Sequence, residues 1–150
     1  MNVFVTIGIP GSGKSTYLKN IPDENKCIIS RDAIRFAMLQ EGENYFAHED
    51  AVLAEFHKQI KQALESQEEN IYIDATHLTP KARKYVIDFA KKYNCEIIAL
   101  YFDVSLEVAL SRNEMRKGLA YVPSAVIRRM WYSIERPTTA EGFTKIINIF

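Results

Sequence analysis

The segment Gly8–Ser15 has the residue types and the spacing of a phosphate-binding loop. Its sequence, GIPGSGKS, matches G-x-x-x-x-G-K-[ST] at every position. Glycines let successive backbone N–H groups turn toward one anion. A lysine at this place reaches the β- and γ-phosphates, and the following hydroxyl, that of Ser15, is placed to bind Mg²⁺ directly. The segment therefore predicts a nucleoside triphosphate site, formed by Gly8, Pro10, Gly11, Ser12, Gly13, Lys14, Ser15 and Thr16.

An acidic and a basic residue follow the second predicted strand, Lys26–Ser30. Asp32 and Arg35 share a face if the segment after the strand is helical. Ligands of open parallel sheets bind at the carboxyl ends of strands, so Asp32 is placed to accept the proton of an attacking hydroxyl. Arg35 is then placed to orient the acceptor and a neighbouring phosphate. A surface ion pair at a helix start has the same pattern, and the residues alone leave both interpretations open.

A second acidic residue ends the third predicted strand, Asn70–Asp74. In a phosphate-loop protein, a carboxylate at this place orients Mg²⁺, here through a water molecule, alongside Ser15. An aspartate that only caps a turn is the alternative. Thr76 and His77 follow in the loop, where we expect them to contact the substrate, because a lone histidine more often lines a pocket than binds a metal.

Two arginines lie in the polar segment after the fourth predicted strand. Arg112 and Arg116 are one helical turn apart, and the glycine-containing segment after Arg116 is typical of a loop. Phosphoryl transfer places negative charge on oxygens that a positioned arginine offsets, and a closing loop excludes water. We therefore expect an arginine-bearing lid in which both side chains contact the donor phosphates and Arg116 is catalytic. A solvated basic loop is the alternative.

A basic and aromatic stretch lies in and just after the last predicted helix, Ser124–Ile134. Its members are Arg128, Arg129, Trp131, Tyr132 and Arg136. Charge combined with stacking suits a polynucleotide. A helix with one buried face and a basic solvent face has the same composition, so both interpretations stay open.

Strand-forming and helix-forming segments alternate along the chain. Strands are predicted at Asn2–Ile7, Lys26–Ser30, Asn70–Asp74, in CEIIALYFDV and in TKIINIF. Helices are predicted after the phosphate loop and at Arg31–Gln40, Ala51–Ser66, Pro80 to about Tyr93, Ser105–Asn113 and Ser124–Ile134. Such alternation, with near-continuous apolar strands, is typical of α/β proteins whose parallel sheet has helices on both faces. We expect one domain, residues 1–150.

The composition indicates a globular protein with balanced charge. The 150 residues are 47% hydrophobic, and 19 Lys and Arg match 19 Asp and Glu. Zero net charge means that an anionic partner must be bound by a local basic patch. No apolar run approaches the ~20 residues of a membrane span, and MNVFVTIGIP lacks the basic start of a signal peptide. We expect a cytoplasmic protein without a membrane partner, and the sequence makes no protein partner evident.

Taken together, these motifs resemble the kinase domain of phage-type polynucleotide 5'-hydroxyl kinases, which belong to the P-loop kinases. The matching segments are GIPGSGKST, SRDAIR, IDATHLTPKAR, FDVSLEVALSRNEMRKG and VP, spread over residues 1 to about 135. The resemblance implies strand order 2-3-1-4-5, ATP as donor with Mg²⁺, and a 5'-hydroxyl end of DNA or RNA as acceptor. It also implies that Asp32 is the general base, that Lys14 and Ser15 hold ATP and Mg²⁺, that Arg35 holds the acceptor phosphate, and that Arg116, perhaps with Arg112, contacts the donor phosphates.

Two departures and two alternatives accompany this resemblance. Family members often have asparagine where His77 stands, and the acidic DxDGT-type phosphatase motif of the best-known members is absent from this sequence. The same small fold serves kinases of small molecules and of nucleotide sugars, which is the main alternative. A non-kinase nucleotide-binding module is the other. A nucleic-acid kinase needs an open channel with basic walls past Asp32 and Arg35, whereas a small-molecule kinase needs a closed pocket.

Overall fold

Five strands form one sheet at the centre of the computed structural model, which describes residues 1–150 except the side chain of Leu119. The strands are β1 (Asn2–Ile7), β2 (Lys26–Ser30), β3 (Asn70–Asp74), β4 (Glu96–Phe102) and β5 (Lys145–Ile149). Their spatial order is β2-β3-β1-β4-β5, and every neighbouring pair is parallel. The predicted α/β fold and its strand order are confirmed. The carboxyl ends of β1, β2 and β3 consequently meet at one edge, where the predicted site residues lie.

Six α-helices connect these strands. They are α1 (Lys14–Lys19), α2 (Arg31–Met38), α3 (Glu49–Glu65), α4 (Pro80–Ala90), α5 (Leu106–Glu114) and α6 (Ser124–Ser133), and short 3₁₀ turns cover Gly118–Ala120 and Thr139–Glu141. Thr79 and Ser105 cap α4 and α5 through their side chains, as their residue types predict. Helix α2 ends earlier than predicted because Leu39 takes an extended conformation. Helix α3 begins earlier, at Glu49, where an acidic first turn suits the helix dipole.

Alternate residues of the strands point to opposite faces of the sheet. On one face Val3, Val5 and Ile7 are buried in a core with residues of α3 and α4. On the other face Tyr72 and neighbours from β4 pack with Leu18 of α1. Each such side chain, when fully buried, contributes about 1.5–3 kcal/mol. The two cores therefore fix the sheet edge from which the loops of the site emerge.

A third, smaller apolar cluster joins the phosphate loop to the last helices. Ile9 is buried with Ala109 of α5, Val122 and Ile127 of α6. Because Ile9 lies inside the phosphate loop, this packing sets the position of α5 and α6 relative to it. Among the described residues, no helix has both the length and the apolar character needed to cross a membrane.

Arg83, a fully buried cation of α4, connects two distant parts of the chain. Its side chain is 0% exposed. Nε donates to the carbonyl of His77 at 3.0 Å and Nη2 to that of Leu78 at 3.2 Å. Nη2 also donates to the carbonyl of Glu135, and Nη1 lies 3.3 Å from both carboxylate oxygens of Glu141. This one guanidinium therefore fastens the loop after β3 to the segment that leads into β5.

Candidate active site

The phosphate loop follows β1 and ends where α1 begins, in a conformation that requires glycine at two positions. Gly11 and Gly13 have φ values of +83° and +93°, in the left-handed region that other residues avoid. A Cβ on Gly11 would also lie 2.5 Å from the carbonyl oxygen of Ala109 in α5. The loop thus depends both on backbone freedom and on close contact with α5.

Lys14 is the buried cation of the cleft that the loop borders. Its Nζ donates to the carbonyls of Gly8 and Ile9, each at 2.9 Å. Burial lowers the pKa of Lys14 to about 8, although the nearby carboxylates of Asp74 and Asp32 act in the opposite direction. A cation held by neutral carbonyls at a site lined by Lys14 itself is suited to binding an anion.

Ser15 and Asp74 meet on the floor of the cleft. Ser15 Oγ donates to Asp74 Oδ2 at 2.8 Å, which brings the first residue after Lys14 to the end of β3. Burial raises the pKa of Asp74, and Lys14 and Ser15 partly offset the increase. A hydroxyl beside a carboxylate is a donor set that Mg²⁺ accepts, with its remaining positions filled by water and phosphate oxygens. This pair fits such an ion.

Asp32 lies across the cleft and is held by two neighbours. Its Oδ1 accepts hydrogen bonds from the Arg35 guanidinium and from the Tyr45 hydroxyl, the latter at 2.7 Å. Arg35 Nη1 in turn donates to the Tyr45 oxygen at 2.9 Å. Both bonds to Asp32 end on Oδ1, and Oδ2 accepts no hydrogen bond from the described residues. The carboxylate is therefore oriented by one oxygen while the other is available to a substrate.

Glu49, the first residue of α3, anchors Arg35 from behind. Arg35 Nε and Nη2 donate to its two carboxylate oxygens at 2.7 and 3.0 Å. With the bonds to Asp32 and Tyr45, four of the five N–H groups of Arg35 are committed. Partial burial raises the pKa of Glu49, but the bonds from Arg35 and Arg31 outweigh it and the net pKa is lowered. Arg35 is thus a rigid link between α2 and α3.

Arg31 is a cleft residue that the sequence analysis did not identify. Its Nη2 donates to Glu49 at 3.1 Å. Its Nε is buried and, among the described residues, has no hydrogen-bond partner. An unpaired buried donor is costly, and at a cleft wall it is available to a ligand. Tyr45 and Glu49 were missed too, because no sequence spacing connects them to Asp32; only the packing of α3 on α2 brings them together.

The segment Arg112–Val122 forms the wall opposite Asp32. Arg116 lines the cleft, and its Nη1 lies 3.4 Å from the carbonyl of Ala120. Arg112 instead donates to the carbonyl of Gly11 at 3.3 Å, outside the cleft lining. Buried Asn113 closes the segment, since its side chain bonds both the N–H and the carbonyl of Val122 at 3.0 and 2.6 Å. Asn113 had no signal in the sequence.

The structure brings most of the predicted site residues into one cleft. Its lining includes Pro10, Gly11, Gly13, Lys14, Ser15, Thr16, Asp32, Arg35, Asp74, Thr76 and Arg116. Gly8 and Ser12 support the loop behind Lys14, through a carbonyl and a hydroxyl at 2.9 and 3.4 Å from Nζ. Arg112 braces the loop from the side of α5. His77 is the exception.

His77 does not reach the cleft, which corrects the expectation that it contacts the substrate. Its side chain is buried, and Nδ1 donates to the carbonyl of Thr6 at 2.8 Å. Burial lowers the pKa of His77 to about 4, so the ring is neutral at physiological pH. Its φ is +45°, a left-handed conformation in which asparagine and histidine are enriched. The residue is a structural part of the turn after β3.

We expect His77→Asn to fold and to lessen the loss of stability in acid. Because the folded pKa of about 4 lies below the ordinary 6.5, the unfolded chain binds the proton first. The stability that the neutral ring contributes is complete above pH 6.5 and falls as the pH falls toward 4. Urea unfolding at about pH 7 and pH 4.5 should give a decrease larger in wild type than in the variant by roughly 2–3 kcal/mol. Equal decreases in the two proteins would contradict this.

Comparison with known proteins agrees with this geometry. The AAA_33 family model, described as an AAA domain, matches residues 3–137. The bifunctional polynucleotide phosphatase/kinase of Schizosaccharomyces pombe is 26% identical over 149 residues, which cover 96% of this chain and 32% of that protein. The chain spans between 22% and 54% of the length of the first curated relatives it matches.

Two solved structures have the same fold at low identity. A chain of the Pnkp1/Rnl/Hen1 RNA repair complex superposes with a TM-score of 0.73 at 20% identity, over 88% of this chain and 43% of that one. A gluconokinase from Sinorhizobium meliloti 1021 gives 0.65 at 20% identity, over 99% of this chain and 81% of that one. The fold is therefore shared by kinases with polymeric and with small acceptors. Because the family match spans most of its length, the protein belongs to the AAA_33 family and is a P-loop kinase domain.

Proposed function

We propose that the protein is an ATP-dependent polynucleotide kinase that transfers the γ-phosphate to the 5'-hydroxyl end of DNA or RNA. The observation that carries the proposal is the carboxylate of Asp32, oriented by Arg35 and Tyr45 at the wall of the same cleft that holds Lys14. A phosphate donor and a proton acceptor thus border one space, which is the arrangement that in-line transfer to a hydroxyl requires.

Residues of the phosphate loop form the donor half of this site. Backbone N–H groups of the loop and the Lys14 ammonium bind the β- and γ-phosphates. Ser15 would bind Mg²⁺ directly and Asp74 would bind it through water, and the ion would neutralise charge on the phosphate oxygens. Arg116 faces the cleft from the opposite wall, where it offsets the negative charge that transfer develops.

Asp32 and the arginines of α2 form the acceptor half. Asp32 Oδ2 accepts the proton of the 5'-hydroxyl as its oxygen attacks the γ-phosphorus, while Oδ1 stays fixed by Arg35 and Tyr45. The phosphate that follows the terminal nucleotide lies against the remaining N–H of Arg35 and the unpartnered Nε of Arg31. Thr76 lines the same space and supplies a hydroxyl to the acceptor.

The openness of the acceptor half favours a polymer over an enclosed small molecule. The side chain of Asp32 is 41% exposed, and Phe46 beside it is 40% exposed. The cleft has a volume of about 170 Å³, less than the roughly 300–1,000 Å³ of pockets that enclose a small ligand. Arg31, Arg35 and Arg116 give it basic walls. An end of a longer chain can enter such a cleft while the remainder stays outside.

The direct test is phosphoryl transfer from γ-labelled ATP with Mg²⁺. The acceptors are 5'-hydroxyl DNA and RNA oligonucleotides, the same oligonucleotides already carrying a 5'-phosphate, and gluconate as a small polyol acid. Label on the 5'-hydroxyl oligonucleotides alone is the expected result. Label on gluconate but on neither nucleic acid would replace the proposal by a small-molecule kinase, and ATP binding without label on any acceptor would favour a nucleotide-binding module.

Binding of Mg·ATP should be accompanied by proton uptake at alkaline pH. The free protein holds Lys14 with a pKa of about 8, and the bound phosphates restore the pKa toward its ordinary value. At about pH 8.5 the site should therefore take up roughly three quarters of a proton, and at about pH 6.5 almost none, because Lys14 is already charged there. Calorimetric titrations in buffers of different ionisation enthalpy measure the uptake. An uptake that does not change between these two pH values would contradict the assignment.

A further inference from the structure

The outward face of α6 carries two arginines that no acidic side chain neutralises. Arg128 and Arg129 are exposed, and within the part of the chain whose side chains are described neither forms an ion pair. The helix itself, Ser124–Ser133, contains no acidic residue. In contrast to Arg35, which Glu49 holds, both guanidinium groups are available to an anion.

Two exposed aromatic rings lie beside these arginines. Tyr132 is 78% exposed and Trp131 is 37% exposed. Their ring centroids are 5.2 Å apart at an interplanar angle of 87°, so the two rings offer faces in different directions. Tyr132 follows Arg128 by one helical turn and lies on the same face. Cations and aromatic rings within one turn are the two elements that bind single-stranded nucleic acid.

The inward side of the same helix borders the active-site cleft. Met130 lines the cleft together with Arg116 and Val122. Ile127, one turn earlier, is buried against Ile9 of the phosphate loop. Helix α6 is therefore fixed relative to the site of transfer, and a chain that leaves the cleft past Met130 meets the neighbouring residue Arg129.

We propose that Arg128, Arg129, Trp131 and Tyr132, here called the α6 surface, bind the single-stranded nucleic acid that extends beyond the nucleotides in the cleft. The proposal rests on the proposed polynucleotide kinase function and adds the path of the acceptor strand. Phosphates bind the two arginines and bases stack on the two rings. An acidic protein segment would engage the arginines but would leave the ring faces without stacking partners, so nucleic acid is favoured.

The test is equilibrium binding of single-stranded oligonucleotides, without ATP, measured by the anisotropy of a 3' label. Two lengths are compared, about 3 nucleotides and about 12 nucleotides, because single-strand binding folds cover ~4–16 nucleotides. Arg128→Ala/Arg129→Ala should weaken binding of the longer strand alone. Its slope of log affinity against log salt should become shallower by about 1.4, since each lost phosphate contact on a single strand removes about 0.7.

The aromatic half of the surface has its own matched pair of variants. Tyr132→Ala should weaken binding of the longer strand about 5-fold or more, whereas Tyr132→Phe, which keeps the ring, should bind as wild type does. The charge control is Lys58→Ala/Lys61→Ala, which removes two exposed cations from α3. Circular dichroism melts of all variants verify that each is folded.

Three results would overturn the proposal. The first is wild-type affinity and salt slope in the double arginine variant, or the same loss in the lysine control. The second is equal weakening for both strand lengths. The third is competition by polyglutamate of matched charge as strong as that by the oligonucleotide, which would make the surface a site for acidic proteins.

Failure of this proposal can be told apart from failure of the proposed function. If the protein phosphorylates 5'-hydroxyl ends but the double arginine variant has an unchanged KM for the longer strand, only the α6 surface is wrong. If no acceptor is phosphorylated while binding of the longer strand still depends on the surface, the nucleic-acid site stands and the kinase assignment falls.

Discussion

Asp32→Asn should lower phosphoryl transfer by about 10²- to 10⁴-fold while the affinity for Mg·ATP stays within a factor of about two. Asparagine keeps the shape of the side chain and an oxygen that Arg35 and Tyr45 can hold. It has no carboxylate oxygen to accept the proton of the attacking hydroxyl, so the loss falls on the chemical step. Single-turnover rates with γ-labelled ATP and a 5'-hydroxyl oligonucleotide, together with calorimetric ATP titrations, measure the two quantities.

An exposed acid outside the cleft provides the control for this variant. Asp50 lies in the first turn of α3, and Asp50→Asn removes the same charge without touching the cleft lining. Its transfer rate should equal that of wild type. A fully active Asp32→Asn variant would remove Asp32 from the mechanism, and an equal loss of rate in both variants would mean that only net charge matters.

Arg83→Met should destabilise the folded state by about 3–5 kcal/mol, the range found when one partner of a buried ion pair is removed. Methionine fills much of the volume but donates no hydrogen bond. The carbonyls of His77 and Leu78 and the carboxylate of Glu141, only 12% exposed, would lose their partner. Urea unfolding of wild type and variant measures the difference in free energy.

The neighbouring residue of α4 gives the matched control. Lys84 has a side chain that is 71% exposed and pairs only with Asp88 in the next turn, so Lys84→Met should change stability by less than about 0.5 kcal/mol. If Arg83→Met proves too unstable to purify, Glu141→Gln tests the same pair, because it leaves Arg83 without its anion and should also destabilise. Wild-type stability in both Arg83→Met and Glu141→Gln would contradict a structural role for the pair.

Local patterns in the sequence were sufficient to predict the fold and the donor half of the site. The β1 and β3 bounds, the glycines of the phosphate loop and the caps at Thr79 and Ser105 depend on residues close in sequence. The positions of Lys14, Asp74 and Asp32 follow from their places at strand ends, because a parallel sheet brings those ends to one edge. Strand order came from family resemblance, since alternation of strands and helices permits several orders.

The support of the catalytic carboxylate was beyond the reach of sequence patterns. Glu49 lies fourteen residues after Arg35, and Tyr45 lies in the segment between the two helices. No periodicity relates residues on separate helices. Sequence spacing correctly paired Asp32 with Arg35, but it left open whether Arg35 is a free phosphate ligand. Its bonds to Glu49 make it also the brace that orients Asp32.

By itself, the sequence determined the fold class, the phosphate loop and the set of residues at the sheet edge, because each is encoded by neighbouring residues and by the pairing of parallel strands. Only the tertiary structure decided which of those residues face the cleft. It turned His77 inward to the carbonyl of Thr6 and used Arg83 as a buried tie. It also left the arginines of α6 unpaired within the described part of the chain. The physical reason is that burial and hydrogen-bond partners are supplied by distant segments, whose identity appears only once the chain is packed.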